Sequence, residues 1–132
     1  LKLNRECVRD ILLVLEEFKY DEILNTTDLK ENERLSKYDF FEAVYAIEKL
    51  KEAGYINGKV LYADNTVYDV SVKSITWDGH QFLDNIRDDG IWKVTKNIAS
   101  KFSSVSISML SNIASTVISQ LISKELGGAG TP

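Results

Sequence analysis

The residue types that usually carry proton transfer, nucleophilic attack or metal binding are few in this chain, and they stand apart. His80 is the only histidine. It sits early in an expected helix between Gly79 and Gln81, where it could pair with Asp84 one turn on. A lone imidazole without convergent partners is more often structural than catalytic. Cys7 is the only cysteine, so it makes no internal disulfide. It lies close to the apolar stripe of an expected first helix, where a thiol usually behaves as a small buried hydrophobe rather than a nucleophile. Asp84, Asp88 and Asp89 could attract a cation, but no second ligand set converges on them and they read as a solvated charge run at a helix end. Gly54, Gly58, Gly79 and Gly90 stand singly, and Gly127-Gly128-Ala129-Gly130 follows a helix instead of opening one, which leaves no phosphate loop. These residues predict no catalytic site, no metal site and no cofactor.

The elements that would position such residues are readable from periodicity. Asn4 to Lys19 predicts a helix capped by Asn4, with Val8, Ile11, Leu12, Leu15 and Phe18 inward. Asp21 to Glu33 is polar and predicts a short extended piece or loop. Ser36 followed by Asp39 fits a capping box for a second helix, whose Phe40, Val44, Ile47 and Leu50 continue to Ala53 before a cap at Gly54. From Tyr55 to Ile75 the period falls to 2, with Ile56, Val60 and Tyr62 on the face shared by Tyr68, Val70 and Val72. That is a β-hairpin turning at Asp64-Asn65, residues that tolerate left-handed angles. Thr76 caps a further helix with Phe82, Leu83 and Ile86 inward, ending near Asp89-Gly90.

The 132-residue length suits one globular domain, and 44% hydrophobic against 27% charged residues is a globular balance. The charge is uneven. Residues 1–90 hold 12 Lys and Arg against 19 Asp and Glu, a net of −7, while residues 91–132 hold 4 against 1, a net of +3. An acidic domain repels phosphate, so nucleic acid is a disfavoured partner. One cysteine and the lack of a secretion signal at the start of the sequence predict a cytoplasmic location.

The order helix, loop, helix, hairpin, helix, with Leu50-Lys51-Glu52-Ala53-Gly54-Tyr55-Ile56, resembles winged-helix domains, in which a recognition helix runs into the wing. Thr76-Trp77-Asp78-Gly79-His80-Gln81-Phe82-Leu83 is similar to the phrase that follows the wing in MarR-like and PadR-like regulators. The helix before the recognition helix is squeezed into residues 28–35 and is abbreviated or missing. Lys2 to Asp10 and Ile75 to Arg87 together resemble a domain of unknown function from Gram-positive bacteria and their phages. That resemblance implies a phage or mobile-element origin and carries no activity with it. The expected fold is therefore α+β, a winged-helix domain over residues 1–90 followed by a long helix over 91–126 and a flexible tail over 127–132.

On the second helix, turning Phe40, Val44 and Ile47 inward puts Asp39, Glu42, Ala46, Lys49 and Glu52 on or near the outward side. Three acids against one base suit a protein partner better than a DNA groove. The C-terminal helix is unusual in carrying no charge from Phe102 to Ser123 and eight serines. Ser104, Ser108, Ser111, Ser115, Ser119 and Ser123 form a stripe, flanked by Ile98, Phe102, Val105, Met109, Leu110, Ile113, Val117 and Leu121. Small residues at this spacing allow close helix approach, so self-association is expected, ahead of packing on its own domain or entry into a membrane. The predicted function is a non-enzymatic interaction module that binds a protein partner and assembles through this helix. A DNA-binding regulator and a membrane-active effector are the alternatives.

Overall fold

The computed structural model describes residues 1–130, with side-chain surroundings through residue 127. Helix α1 (Arg5–Glu17) starts where expected, because the Asn4 side chain accepts a hydrogen bond from the Cys7 N–H at 3.0 Å. Its Val8, Ile11, Leu12 and Leu15 are buried, and the chain turns extended at Phe18.

The polar stretch that follows is more ordered than its composition predicts. It holds a two-residue strand β1 (Leu24–Asn25) and a short helix α2 (Thr26–Glu31). A reciprocal capping box nucleates the helix: the Asn25 side chain accepts from the Asp28 N–H at 3.2 Å, and the Asp28 carboxylate accepts from the Asn25 N–H at 2.8 Å. Buried Leu29 anchors it, and the Thr26 hydroxyl donates to the Asp69 carboxylate at 2.7 Å.

Helix α3 (Phe40–Glu52) begins later than the Ser36 reading. Asp39 is the cap, its carboxylate accepting from the N–H groups of Phe41 and Glu42 at 3.1 and 3.4 Å. Ser36 lies in the turns before it, its N–H bonded to the Asn32 carbonyl. At the other end Gly54 has φ +80°, its N–H donates to the Lys51 carbonyl, and the Tyr55 N–H donates to that of Leu50. This double closure is open to glycine because it lacks the Cβ that makes such angles costly.

Strands β2 (Ile56–Ala63) and β3 (Thr66–Ile75) form the hairpin, and Asp64 and Asn65 take φ of 52° and 63° at its turn. The sheet is antiparallel with order β1-β3-β2, Leu24 lying opposite Val72. Strict alternation fails in one respect. Register shifts at Asn57/Gly58 and Leu61/Tyr62 leave Lys73 and Tyr68 of β3 without opposite residues. Ile56, Val70 and Val72 are buried as expected, but Tyr62 and Tyr68, nearer the turn, are exposed.

Helix α4 (Trp77–Ile86) is latched to the end of α3. The Thr76 hydroxyl accepts from the Gly79 N–H at 3.0 Å and donates to the Gly54 carbonyl at 2.6 Å, and the Thr76 N–H donates to the Tyr55 carbonyl at 3.0 Å. The Tyr55 and Phe82 rings stack with centroids 4.8 Å apart. Gly79 is required here, since a Cβ would stand 2.0 Å from the Tyr55 carbonyl oxygen.

The chain divides into two compact units, Leu1–Leu83 and the residues from Asp84 onward, so the boundary falls inside α4 rather than at Gly90. The first unit buries Ile11, Leu12, Leu24, Leu35, Ile47, Val70 and Val72 among others. Full burial of such side chains stabilises by roughly 1.5–3 kcal/mol each before entropy is counted. In the second unit, α5 (Asp89–Ala99) is capped by Asp88, which accepts from the Ile91 N–H at 2.8 Å. The single helix expected over residues 91–126 is in fact two, because the chain breaks at 100–106 and restarts as α6 (Ile107–Gly130). Serine chemistry makes the break: the Ser100 hydroxyl donates to the Asn97 carbonyl at 2.6 Å, and the Ser106 hydroxyl caps α6 by accepting from the Met109 N–H at 3.1 Å. Helix α6 passes through Gly127, the expected cap, to Gly130. The rest of the expected tail, Thr131 and Pro132, lies outside the described residues.

Candidate functional site

Helix α3 presents the first candidate surface. Its buried side is Ala43, Val44, Ala46, Ile47 and Leu50, so Ala46 is inward and not on the outward face where simple 100° steps put it. The side toward solvent follows Phe41, Tyr45, Glu48 and Glu52 at spacings of four, three and four. Phe41 is 61% exposed, and its ring meets that of Phe40 edge to face. The Lys49 ammonium stands 5.2 Å from the Tyr45 ring centre and 2.8 Å from the Glu52 carboxylate, whose hydrogen bond holds the lysine above its ordinary pKa. From β2, the Tyr62 hydroxyl reaches Glu48 at 3.0 Å, and that carboxylate raises the phenol. Of the expected partner-binding residues, Lys49 and Glu52 lie on this face and Glu42 is half-buried beside it. Asp39 spends its carboxylate on the helix cap. Sequence reasoning missed Phe41, Tyr45 and Tyr62, although Phe41 next to an inward Phe40 was the available signal.

A second cluster was not anticipated. Asp10, on α1, is buried, and its carboxylate gathers the Arg34 guanidinium at 3.0 Å, the Lys37 ammonium at 3.3 Å and the Tyr38 hydroxyl. All three donors come from the segment joining α2 to α3. The Tyr38 phenol is pushed far up, by burial first and then by its bond to Asp10. Burial, followed by Glu42 and Asp10, pushes the Cys7 thiol up to about 12. The fully buried thiol is therefore protonated at neutral pH, the reverse of what a nucleophile needs. A cavity of about 720 Å³ opens beside the cluster, lined by Leu13, Val14, Phe18, Arg34 and Lys37 with Glu17 and Glu33.

The remaining chemistry-bearing residues are dispersed. His80 is exposed on α4. Asp84 pairs with Arg87 at 2.9 Å, and Asp88 caps α5. Among the described residues no group of three or more His, Cys, Asp or Glu could hold a metal ion.

The expected association residues, spread over α5, the break and α6, fall into two sets. Val105, Leu110 and Ala114 are buried, so Val105 and Leu110 are already covered within a single copy. Ser111 accepts from the Asn85 amide at 2.9 Å, and Ile98, Ile113 and Val117 are half-buried. Phe102, Ser108, Met109, Ser115 and Leu121 are exposed, and so is every residue from Ser119 to Leu126. The reason is length. Helix α6 has 24 residues and α5, which packs against it, has 11, or about 36 Å against 16 Å at 1.5 Å per residue. Among the described residues no helix is long and apolar enough to cross a membrane.

Among the described residues these features define a mixed α+β protein of six helices, the last of them long, and a three-stranded antiparallel sheet. The chain belongs to the family described as hypothetical protein (DUF2513), which residues 2–106 match, ending at the residue that caps α6. It is also similar to an uncharacterized protein of Haemophilus influenzae, 29% identical over 123 residues that span 92% of this chain and 99% of that one. No solved structure matches it.

Proposed function

We propose that the first unit is a winged-helix domain that acts as a non-enzymatic protein-interaction module, and that α6 joins copies of the chain. The element order through β3 and the strand order β1-β3-β2 support the winged-helix reading, with α2 as the abbreviated helix before α3. The single observation that carries the function is the solvent face of α3, where Phe41 and Tyr45 continue into Glu48 and Glu52 and Glu48 accepts from the Tyr62 hydroxyl of the wing. Aromatic side chains at a partly apolar centre with charges at the rim are what protein interfaces favour. A DNA-reading helix would bring Arg, Lys, Asn or Gln there instead. The partner that fits is a protein with a basic rim around an apolar centre. A phage or mobile-element origin, as the resemblance over Lys2 to Asp10 and Ile75 to Arg87 implies, belongs to the same reading.

The test compares the wild type with Phe41→Ala/Tyr45→Ala as bait in its host lysate, followed by titration of the purified partner. We expect the double variant to keep its circular dichroism spectrum and to lose about 100-fold or more in affinity, as two aromatic anchors would. An unchanged affinity, or tight and salt-sensitive binding of the wild type to short duplex DNA, would overturn the proposal.

For α6, the uncovered half offers Leu121, Ile122 and Leu126, which are 49%, 53% and 69% exposed. The run from Phe102 to Ser123 has no charge, so two identical faces meet without like-charge repulsion. Leu121→Lys/Ile122→Lys is expected to give a smaller particle by light scattering with unchanged helix content. A wild type that is monomeric at 100 μM, roughly the top of the range for weak assembly, removes this part of the reading.

A further inference from the structure

A cleft of about 440 Å³ in the first unit lies between the end of α1, the end of β3 and the start of α4. Its lining differs from the rest of that acidic unit. Lys19, from the residues after α1, Lys73, from β3, and His80, from α4, all border it, together with the Ser74 hydroxyl and Tyr20. Glu16 is the one carboxylate in the lining. Leu15, Phe18 and Ile75 supply an apolar wall, of which Leu15 is buried and the other two half-buried.

The placing of cations around one cleft, beside an apolar wall, is what matters. Several lysine and arginine side chains of the unit are engaged elsewhere, Arg34 and Lys37 on Asp10, Lys49 on Glu52 and Tyr45, and Lys30 over the Phe40 ring. No ion pair or ring contact among the described residues engages the ammonium groups of Lys19 and Lys73, although residues 1–90 offer 19 carboxylates. Lys73 is also one of the two β3 residues that the register shifts leave without an opposite residue. A bulge re-aims a side chain relative to a regular strand. Two unengaged ammonium groups and an imidazole from three separate elements, beside an apolar wall, make a place where a negative charge is stabilised and a hydrocarbon body is covered.

We propose that this cleft binds a small organic anion, a ring-sized apolar body bearing one phosphate or carboxylate group. Lys19, Lys73 and His80 meet the anionic group, and Leu15, Phe18 and Ile75 cover the body. The site stands apart from the outward face of α3, and this inference does not rest on the protein-binding proposal.

The test uses phenyl phosphate as probe, with inorganic phosphate and benzyl alcohol as the arms that separate charge from ring. Amide and side-chain shifts of the labelled full chain are followed through a titration at neutral pH. Phenyl phosphate is expected to give saturable shifts confined to residues 15–20, 73–75 and 80, and each control at least 10-fold weaker binding, roughly the loss of one charge-assisted contact or of the covered ring. Lys19→Ala and Lys73→Ala, both at exposed positions, should each weaken phenyl phosphate by about 10-fold while the spectrum keeps its native dispersion. Three results overturn the site: shifts that never saturate, shifts that persist unchanged in the Lys19→Ala/Lys73→Ala double variant, or inorganic phosphate binding as tightly as phenyl phosphate.

Discussion

Gly79→Ala is expected to lower the stability of the first unit by about 3 kcal/mol, enough to move its melting temperature down by on the order of 15 °C. The added methyl would lie 2.0 Å from the Tyr55 carbonyl oxygen and 2.7 Å from the Ile75 Cγ2. Neither neighbour can yield cheaply, since Tyr55 O already accepts from the Thr76 N–H and Ile75 ends the central strand. Relief requires α4 to back away, which breaks the Thr76 latch and separates the stacked Tyr55 and Phe82 rings. Gly90→Ala is the matched control. There the methyl meets only the Asp88 side-chain oxygen at 3.2 Å, inside a helix that favours alanine, and the change should stay within about 1 kcal/mol. Thermal melts followed by circular dichroism measure both. Equal shifts for the two variants would mean that the close approach at Gly79 does not hold α4 in place.

Asp10→Ala is the second large effect, at about 2–3 kcal/mol. The carboxylate is buried and receives three donors, so its loss strands the Tyr38 hydroxyl and releases two cations. The upper figure for a broken buried pair does not apply, because the Arg34 and Lys37 side chains are 50% and 60% exposed and water takes them back. Asp10→Asn, which keeps an acceptor for Tyr38, should recover part of the loss. The pH dependence has a definite sign. Tyr38 and Cys7 are neutral groups whose folded values are raised, so the stability they contribute is complete below their unfolded values, near 9 for the thiol and 10 for the phenol. It drains away as the pH rises above that range. Urea unfolding at pH 7 and pH 10.5 should show a wild-type loss that is smaller in Asp10→Ala, where the bond and charge that raise Tyr38 are gone. An identical loss in both proteins would show that Asp10 does not set the Tyr38 proton.

Local chemistry explains why some elements were legible in the sequence and others were not. Asn4, Gly54, Asp64-Asn65 and Thr76 each do locally what their type suggests, and α1, the end of α3, the hairpin turn and the start of α4 follow from them. Helix α2 was signalled as well, by Asn25 and Asp28 three apart, but six polar-rich residues with one buried leucine give no periodicity to find. The break before α6 has neither glycine nor proline to mark it, and only serines capping in two directions produce it. The Asp10 cluster brings together residues 24 to 28 positions apart, and nothing in sequence spacing says that one acid on an apolar stripe will be met by three donors from a distant turn. The spacing of the serines on α6 predicts close helix approach, and Ser108, Ser115, Ser119 and Ser123 face solvent in the single chain.

The irregular register of the hairpin bears on how readily the sheet could take up a further strand. Strand β2 is an outer strand of eight residues, and the far side of β3 is covered by β1 over two residues only, so the sheet offers open backbone on both flanks. Such flanks recruit further strands and seed aggregates when they are long, flat and regular. Here Lys73 and Tyr68 interrupt β3, and at Gly58 the two backbones come so close that a Cβ would stand 2.5 Å from the Ser71 carbonyl oxygen. A bulged, strongly coiled ribbon gives an incoming strand no continuous row of partners. The two interruptions are therefore expected to disfavour strand addition along this ribbon.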